Sequence, residues 1–149
     1  MTQYKWGILG TGHIARKFAE GLQQLAQAEL YAVGSRRQTT ADAFAREFGF
    51  THALGSYEAL LADPEVDVVY VSSPHPWHHA HTLACLQAGK AVLCEKPLAL
   101  NARQAAEMRD QARAQSCFLM EAMWTRFLPI WRQVQTWLQA GRIGELRML

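Results

Sequence analysis

Short apolar runs alternate with longer amphipathic stretches along the whole chain. Residues 4–9 read as a first strand, and 12–26 as a helix with Ile14, Phe18, Leu22 and Leu25 along one side. Residues 30–33 form a second strand. A helix over 40–48 follows, capped by Thr39 or Thr40 and stopped by Gly49. Residues 56–61 make a short helix with Ser56 as its N-cap, and 66–71 another apolar strand. The pattern continues with a helix over 76–87 ending at Gly89, a strand over 91–94, and a helix from its cap Asn101 to Ala114. A strand over 117–120 and a helix over 127–140 come last, the helix carrying Ile130, Val134, Trp137 and Leu138 on one face.

Strands buried on both faces show continuous apolar runs rather than alternation, and these do. Strand–helix alternation at this spacing calls for right-handed crossovers and a parallel sheet. The expected fold class is a doubly wound α/β domain.

Composition narrows the picture. The chain has 149 residues, 50% apolar and 19% charged, which suits one globular domain and excludes disordered or low-complexity classes. A net charge of +2, with the charges scattered, leaves no nucleic-acid footprint. No apolar run reaches a membrane span, and the N-terminus has no signal-peptide pattern. Three cysteines (Cys85, Cys94 and Cys117) without a CxxC pair point to a reduced, cytoplasmic protein.

The first strand runs into Gly10-Thr11-Gly12-His13-Ile14-Ala15, a G-x-G-x-x-A sequence opening a helix. Gly10 lets the chain turn, Gly12 leaves room for a pyrophosphate at the helix N-terminus, and Ala15 permits close helix–strand packing. About 20 residues on, where NAD sites place an acid on the ribose, stand Ser35, Arg36 and Arg37. A hydroxyl and two guanidinium groups suit the extra phosphate of NADP, which is expected ahead of NAD.

Four histidines fall within residues 75–81, but their spacing matches no zinc signature and no metal is expected. His75 and His78 lie just past a strand end, where open α/β sheets bind ligands, while His79 and His81 fall further along the helix. The strand over 91–94 ends in Glu95-Lys96-Pro97. Proline holds Lys96 extended, and a partly desolvated lysine there could exchange a proton with a hydroxyl or carbonyl.

Together the segments 7–15, 88–97 and 118–127 resemble the glucose–fructose oxidoreductase / inositol dehydrogenase family. With 55–58 and 72–78 they are most similar to its NADP-dependent dihydrodiol and D-xylose dehydrogenase branch. The resemblance implies that Gly10, Thr11, Gly12, His13 and Ile14 cradle the pyrophosphate, and that Ser35, Arg36 and Arg37 hold the adenosine phosphate. By the same resemblance Ser72, Pro74, His75 and His78 flank the nicotinamide. Glu95, Lys96 and Pro97 form the catalytic strand end with Lys96 as the catalytic residue, the Lys-Pro peptide being often cis in the family. Trp124 and Arg126 sit by the cofactor. The implied reaction is hydride transfer between NADP and a small molecule, a sugar or cyclic diol.

The resemblance further implies a dinucleotide-binding domain over 1–124. Residues 125–149 would be a linking helix and the first strand of a truncated second domain, which in the family supplies the substrate pocket and usually the subunit interface, so a homo-oligomer is expected. The alternative reading is a non-catalytic NADP-binding module or inactive remnant.

Overall fold

A computed structural model describes residues 3–145 and 147. Six strands lie in one parallel sheet: β1 (Tyr4–Leu9), β2 (Ala28–Gly34), β3 (His52–Leu54), β4 (Val68–Val71), β5 (Ala91–Cys94) and β6 (Leu119–Glu121), in the spatial order β3-β2-β1-β4-β5-β6. The helices are α1 (His13–Leu22), α2 (Gln38–Phe48), α3 (Tyr57–Ala62), α4 (His78–Gln87), α5 (Ala102–Ala114) and α6 (Pro129–Gln139). The chain order reverses at β1, which pairs with β2 on one side and β4 on the other. That reversal opens a crevice beyond the strands' C-terminal ends. The fold is the doubly wound α/β sheet that the hydrophobic pattern predicts.

Apolar residues pack both faces. On one, Leu60, Val69, Val71, Leu86, Val92 and Met108 close the layer beneath α3, α4 and α5. On the other, Ile8, Ala15, Ala19, Val33, Phe44 and Tyr70 pack under α1 and α2. Ala15 and Ala19 are fully buried, which lets α1 lie directly against the sheet.

Several boundaries differ from expectation, each for a local reason. Helix α1 ends at Leu22 rather than near residue 26, because Gln24 and Leu25 turn back onto Gly21 and Leu22 carbonyls and leave Leu25 exposed. Strand β2 starts two residues early, at Ala28, which pairs with Tyr4. Helix α2 starts at Gln38 with Arg37 as its cap residue, so Thr39 and Thr40 lie inside the first turn. The Gln38 amide ties that end to the Ala53 carbonyl at 2.8 Å. Strand β3 was not anticipated; three residues are too short to show a period.

Other terminators hold as expected. Ser56 accepts from Ala59 N–H at 3.1 Å, Asn101 accepts from Gln104 N–H at 3.0 Å, and Gly49 closes α2 at φ +81°. Helix α6 rests chiefly on a short 3-10 turn over Trp124–Phe127, and none of its residues is buried. On its expected apolar face Ile130 and Trp137 are exposed, while Val134 and Leu138 are half-buried. Of the strand expected at the end of the chain, Glu145 and Arg147 lie outside any strand, and residues 146, 148 and 149 fall outside the described residues.

Candidate functional site

Beyond the last ladder pairs, backbone hydrogen bonds continue from strand to strand and stitch six chain segments into one rim. Gly10 N–H donates to Gly34 O (3.0 Å), Ser35 N–H to Leu54 O (2.9 Å) and Ser72 N–H to Leu9 O (3.1 Å). Glu95 N–H donates to Val71 O (3.0 Å) and Ala122 N–H to Cys94 O (2.7 Å). The expected site residues on the loops after β1, β2, β4 and β5 therefore share one edge of the sheet.

Two glycines of the first loop play separate parts. Gly10 sits at φ +106°, and a Cβ there would stand 2.9 Å from Ser72 Oγ, so the fold itself demands glycine. Ser72 Oγ in turn donates to Leu9 O at 2.9 Å, locking β4 to the end of β1. Gly12, the N-cap residue of α1, has φ −76° and ψ −178°, which any residue adopts, and a Cβ would meet nothing within 4 Å. No side chain caps α1 and no acid occupies its first turn. Its first N–H groups thus face an open approach, with the positive end of the helix dipole behind them. A phosphate fits that opening.

At the end of β2, Ser35 is buried, while Arg36 and Arg37 are exposed and make no side-chain hydrogen bond or ion pair among the described residues. Arg36 borders a cleft of about 450 Å³ with Ser56, Tyr57, Pro74, Trp77 and His81. His81 pairs through Nδ1 with Ser73 Oγ at 2.9 Å. Burial holds its pKa below the usual histidine range, His78 and Arg36 adding to the push and Glu58 opposing it. A second cleft, of about 360 Å³, lies on the other side of the glycine loop between Ile14, Phe18, Leu93, Glu95, Trp124 and Phe127.

The Glu95-Lys96-Pro97 turn is pinned from three elements. Tyr70 of β4 donates its hydroxyl to Glu95 Oε1 at 2.6 Å, and Glu95 Oε2 accepts the Lys96 N–H at 3.0 Å. From α4, His78 sets Nδ1 2.8 Å from Pro97 O and Nε2 2.8 Å from Ser73 O. The imidazolium form donates to both oxygens at once, whereas a neutral ring donates to one. From β6, Glu121 Oε1 accepts the Leu98 N–H at 2.8 Å. The Lys96–Pro97 peptide is cis. Burial and the Glu95 carboxylate hold the Tyr70 phenol far above its usual range, so it remains a donor. Burial likewise pushes the neighbouring Cys94 thiol up to about 11, which leaves it protonated and without nucleophilic character near neutral pH.

The structure departs from expectation at two of the site residues. His78 is fully buried with both ring nitrogens on backbone carbonyls, so it braces the frame instead of offering itself to a ligand. Lys96 is exposed and its amine has no partner among the described residues, so this chain does not itself supply the expected desolvation. His75, Trp124 and Arg126 stand exposed around the rim, as do Pro74, Pro97 and His13; Thr11 is half-buried. Sequence reasoning gave Tyr70 and Glu121 no role. The available signal was a phenol inside an apolar strand, which needs a partner when buried.

Comparison with known proteins agrees with this geometry. Residues 4–123 match the oxidoreductase family with an NAD-binding Rossmann fold, also written GFO/IDH/MocA. The chain belongs to that family, whose members are enzymes. It is 45% identical over 146 residues to mouse trans-1,2-dihydrobenzene-1,2-diol dehydrogenase, covering 97% of this chain and 44% of the relative, and 44% identical to the human protein of that name over the same shares. The chain thus spans less than half the length of these curated relatives. Among solved structures it resembles KijD10, a 3-ketoreductase from Actinomadura kijaniata in complex with NADP, with TM-score 0.93 and 35% identity over 98% of this chain and 47% of that one.

The two glycines make a discriminating pair. Gly12→Ala should leave stability within about 0.5 kcal/mol of the parent yet weaken dinucleotide binding roughly tenfold, whereas Gly10→Ala should lower the unfolding midpoint first. Urea unfolding beside cofactor titration measures both, and a Gly12→Ala chain that binds normally contradicts the open-approach argument.

Proposed function

We propose that this chain is the NADP-binding half of an oxidoreductase that moves hydride between the nicotinamide and a sugar or cyclic diol. One observation carries the reading: an unobstructed phosphate loop and an unpaired lysine on a pinned turn share a single rim. Gly10 to Ile14 take the pyrophosphate. The cleft beside Arg36, which Pro74 also lines, takes the adenosine end, and the cleft by Ile14, Glu95 and Trp124 takes the nicotinamide end. The family resemblance adds Ser72, Pro74, His75 and Arg126, on the same rim, to the nicotinamide side. The relatives named as dihydrodiol dehydrogenases, and the NADP complex of the ketoreductase, support the same assignment.

Ser35, Arg36 and Arg37 bind the adenosine phosphate, and no carboxylate stands among them. Charge-assisted hydrogen bonds of about 1.5–3 kcal/mol each imply at least a roughly tenfold preference for NADP over NAD. Calorimetric titration with both cofactors measures it, and equal affinity or a preference for NAD overturns the assignment.

The bound cofactor supplies a hydride acceptor or donor at C4 of its nicotinamide. Lys96 supplies the proton step: as hydride leaves the substrate carbon, the hydroxyl proton passes to Lys96 Nζ in its neutral amine form, giving the ammonium. In reduction the ammonium returns that proton to the alkoxide oxygen. Residues 125–149 begin a second domain that shapes the substrate pocket; the absence of burial along α6 supports this. The 149-residue chain should therefore bind cofactor with little sustained turnover, because half of the positioning is missing. Joined to the second half of a dihydrodiol dehydrogenase, it should reduce NADP with diols or aldoses, and Lys96→Met should lower that turnover about 10²–10⁴-fold. Near-normal turnover by the Lys96→Met chimera removes Lys96 from the chemistry.

We also place the protein in the cytoplasm, on its three free thiols, and read it as a homo-oligomer. Among the described residues no helix is long and apolar enough to cross a membrane. Exposed Phe127, Ile130, Trp131, Trp137 and Ile143 form an apolar margin at residues 127–143 that a second copy can cover. Sedimentation should show concentration-dependent association, and a monomer at every concentration contradicts it.

A further inference from the structure

We propose that Tyr70 is a positioning residue: acting through Glu95, its hydroxyl sets the direction in which Lys96 leaves the sheet. The inference rests on the reading above only in giving Lys96 a cofactor to face. Tyr70 sits in the apolar strand β4, fully buried, its ring stacked on Phe18 at 3.8 Å. A phenylalanine makes the same stack, so the packing has no use for the oxygen. The oxygen has one described contact, Glu95 Oε1 at 2.6 Å.

Glu95 is itself buried, and no cation pairs with it among the described residues. A buried carboxylate is held by whatever donors reach it. Here those are the phenol on one oxygen and the Lys96 N–H on the other. The second bond matters because Pro97 has no N–H, so the Lys96 amide is the only backbone donor between Glu95 and Leu98. It is the one backbone N–H by which a side chain holds Lys96 from its N-terminal side; the Cys94 thiol adds only a long 3.5 Å contact to Glu95 O. His78 and Glu121 hold the turn only beyond it, at Pro97 O and Leu98 N. Without the phenol, Glu95 keeps one tether and can swing into the adjoining cleft, whose wall includes Lys17, the partner of Glu20. The Lys96 amide then loses its acceptor and the lysine its fixed bearing.

Amide hydrogen exchange and lysine labelling on the purified 149-residue chain test this. In Tyr70→Phe the Lys96 N–H should exchange about tenfold faster or more. The Glu95 N–H, bonded to Val71 O, and the Ser72 N–H, bonded to Leu9 O, should keep their rates. NADP affinity should shift less than about threefold, because the substitution removes one oxygen from the wall of the nicotinamide cleft and leaves the phosphate loop intact. Shielding of Lys96 by NADP against trinitrobenzenesulfonate, read by mass spectrometry, should fall severalfold. Glu95→Ala should reproduce the Lys96-specific acceleration even where Tyr70→Phe folds poorly. Glu95→Gln should preserve protection, since its carbonyl can accept the Lys96 N–H while its amide donates to the Tyr70 oxygen. An unchanged Lys96 amide in Tyr70→Phe overturns the proposal, as does faster exchange spread evenly through β4 and β5, which marks Tyr70 as ordinary core. Failure of the parent chain to bind NADP overturns the functional reading instead, and the exchange comparison still decides the role of Tyr70.

Discussion

Gly10 leaves β1 at φ +106°, and this turn fixes where every other part of the rim can stand. Its N–H reaches Gly34 O on one side, while Ser72 closes on the space of its missing side chain from the other. The first loop, the end of β2 and the start of the loop after β4 are thereby placed against one another without any ligand. A side chain at Gly10 would push Ser72 away and break its bond to Leu9 O, separating β1 from β4 where the sheet reverses its order. The crevice is thus a product of backbone geometry, and the side chains that line it inherit their positions.

The domain's two faces are unequally finished. Beneath α3, α4 and α5 the sheet is closed by a continuous apolar layer. On the other face α1 and α2 reach only as far as Tyr70, and Leu93 and Ala122 remain partly open beside the aromatic margin of the 3-10 turn. That uneven cover, with α6 lying on the surface, fits a domain whose relatives are more than twice as long.

Much of this was legible in the sequence because the features involved are local. The apolar runs at 4–9, 66–71 (two residues longer than β4 itself) and 91–94, the caps Ser56 and Asn101, and the glycine loop each depend on residues within a turn or two. The misses were contacts made across the sheet. Starting β2 at Ala28 required knowing that Tyr4 pairs with Ala28. His78 looked like a ligand-facing histidine because its partners, Ser73 O and Pro97 O, are carbonyls that no side-chain pattern announces. Tyr70 and Glu95 are 25 positions apart, and their hydrogen bond exists only because β4 and β5 are neighbours in register.

The bracing of residues 95–98 also bears on time. With the Lys96 N–H bound to the adjacent Glu95 carboxylate, and Pro97 O and Leu98 N–H bound to side chains of α4 and β6, the backbone there has little freedom left. What still moves is the lysine side chain, whose torsions hop between rotamers in picoseconds to nanoseconds. Loop rearrangements take nanoseconds to microseconds, and lid motions longer. An amine on this turn samples its whole reach many times during the life of any encounter, so its approach to a bound molecule is a rotamer search and adds no slow step of its own.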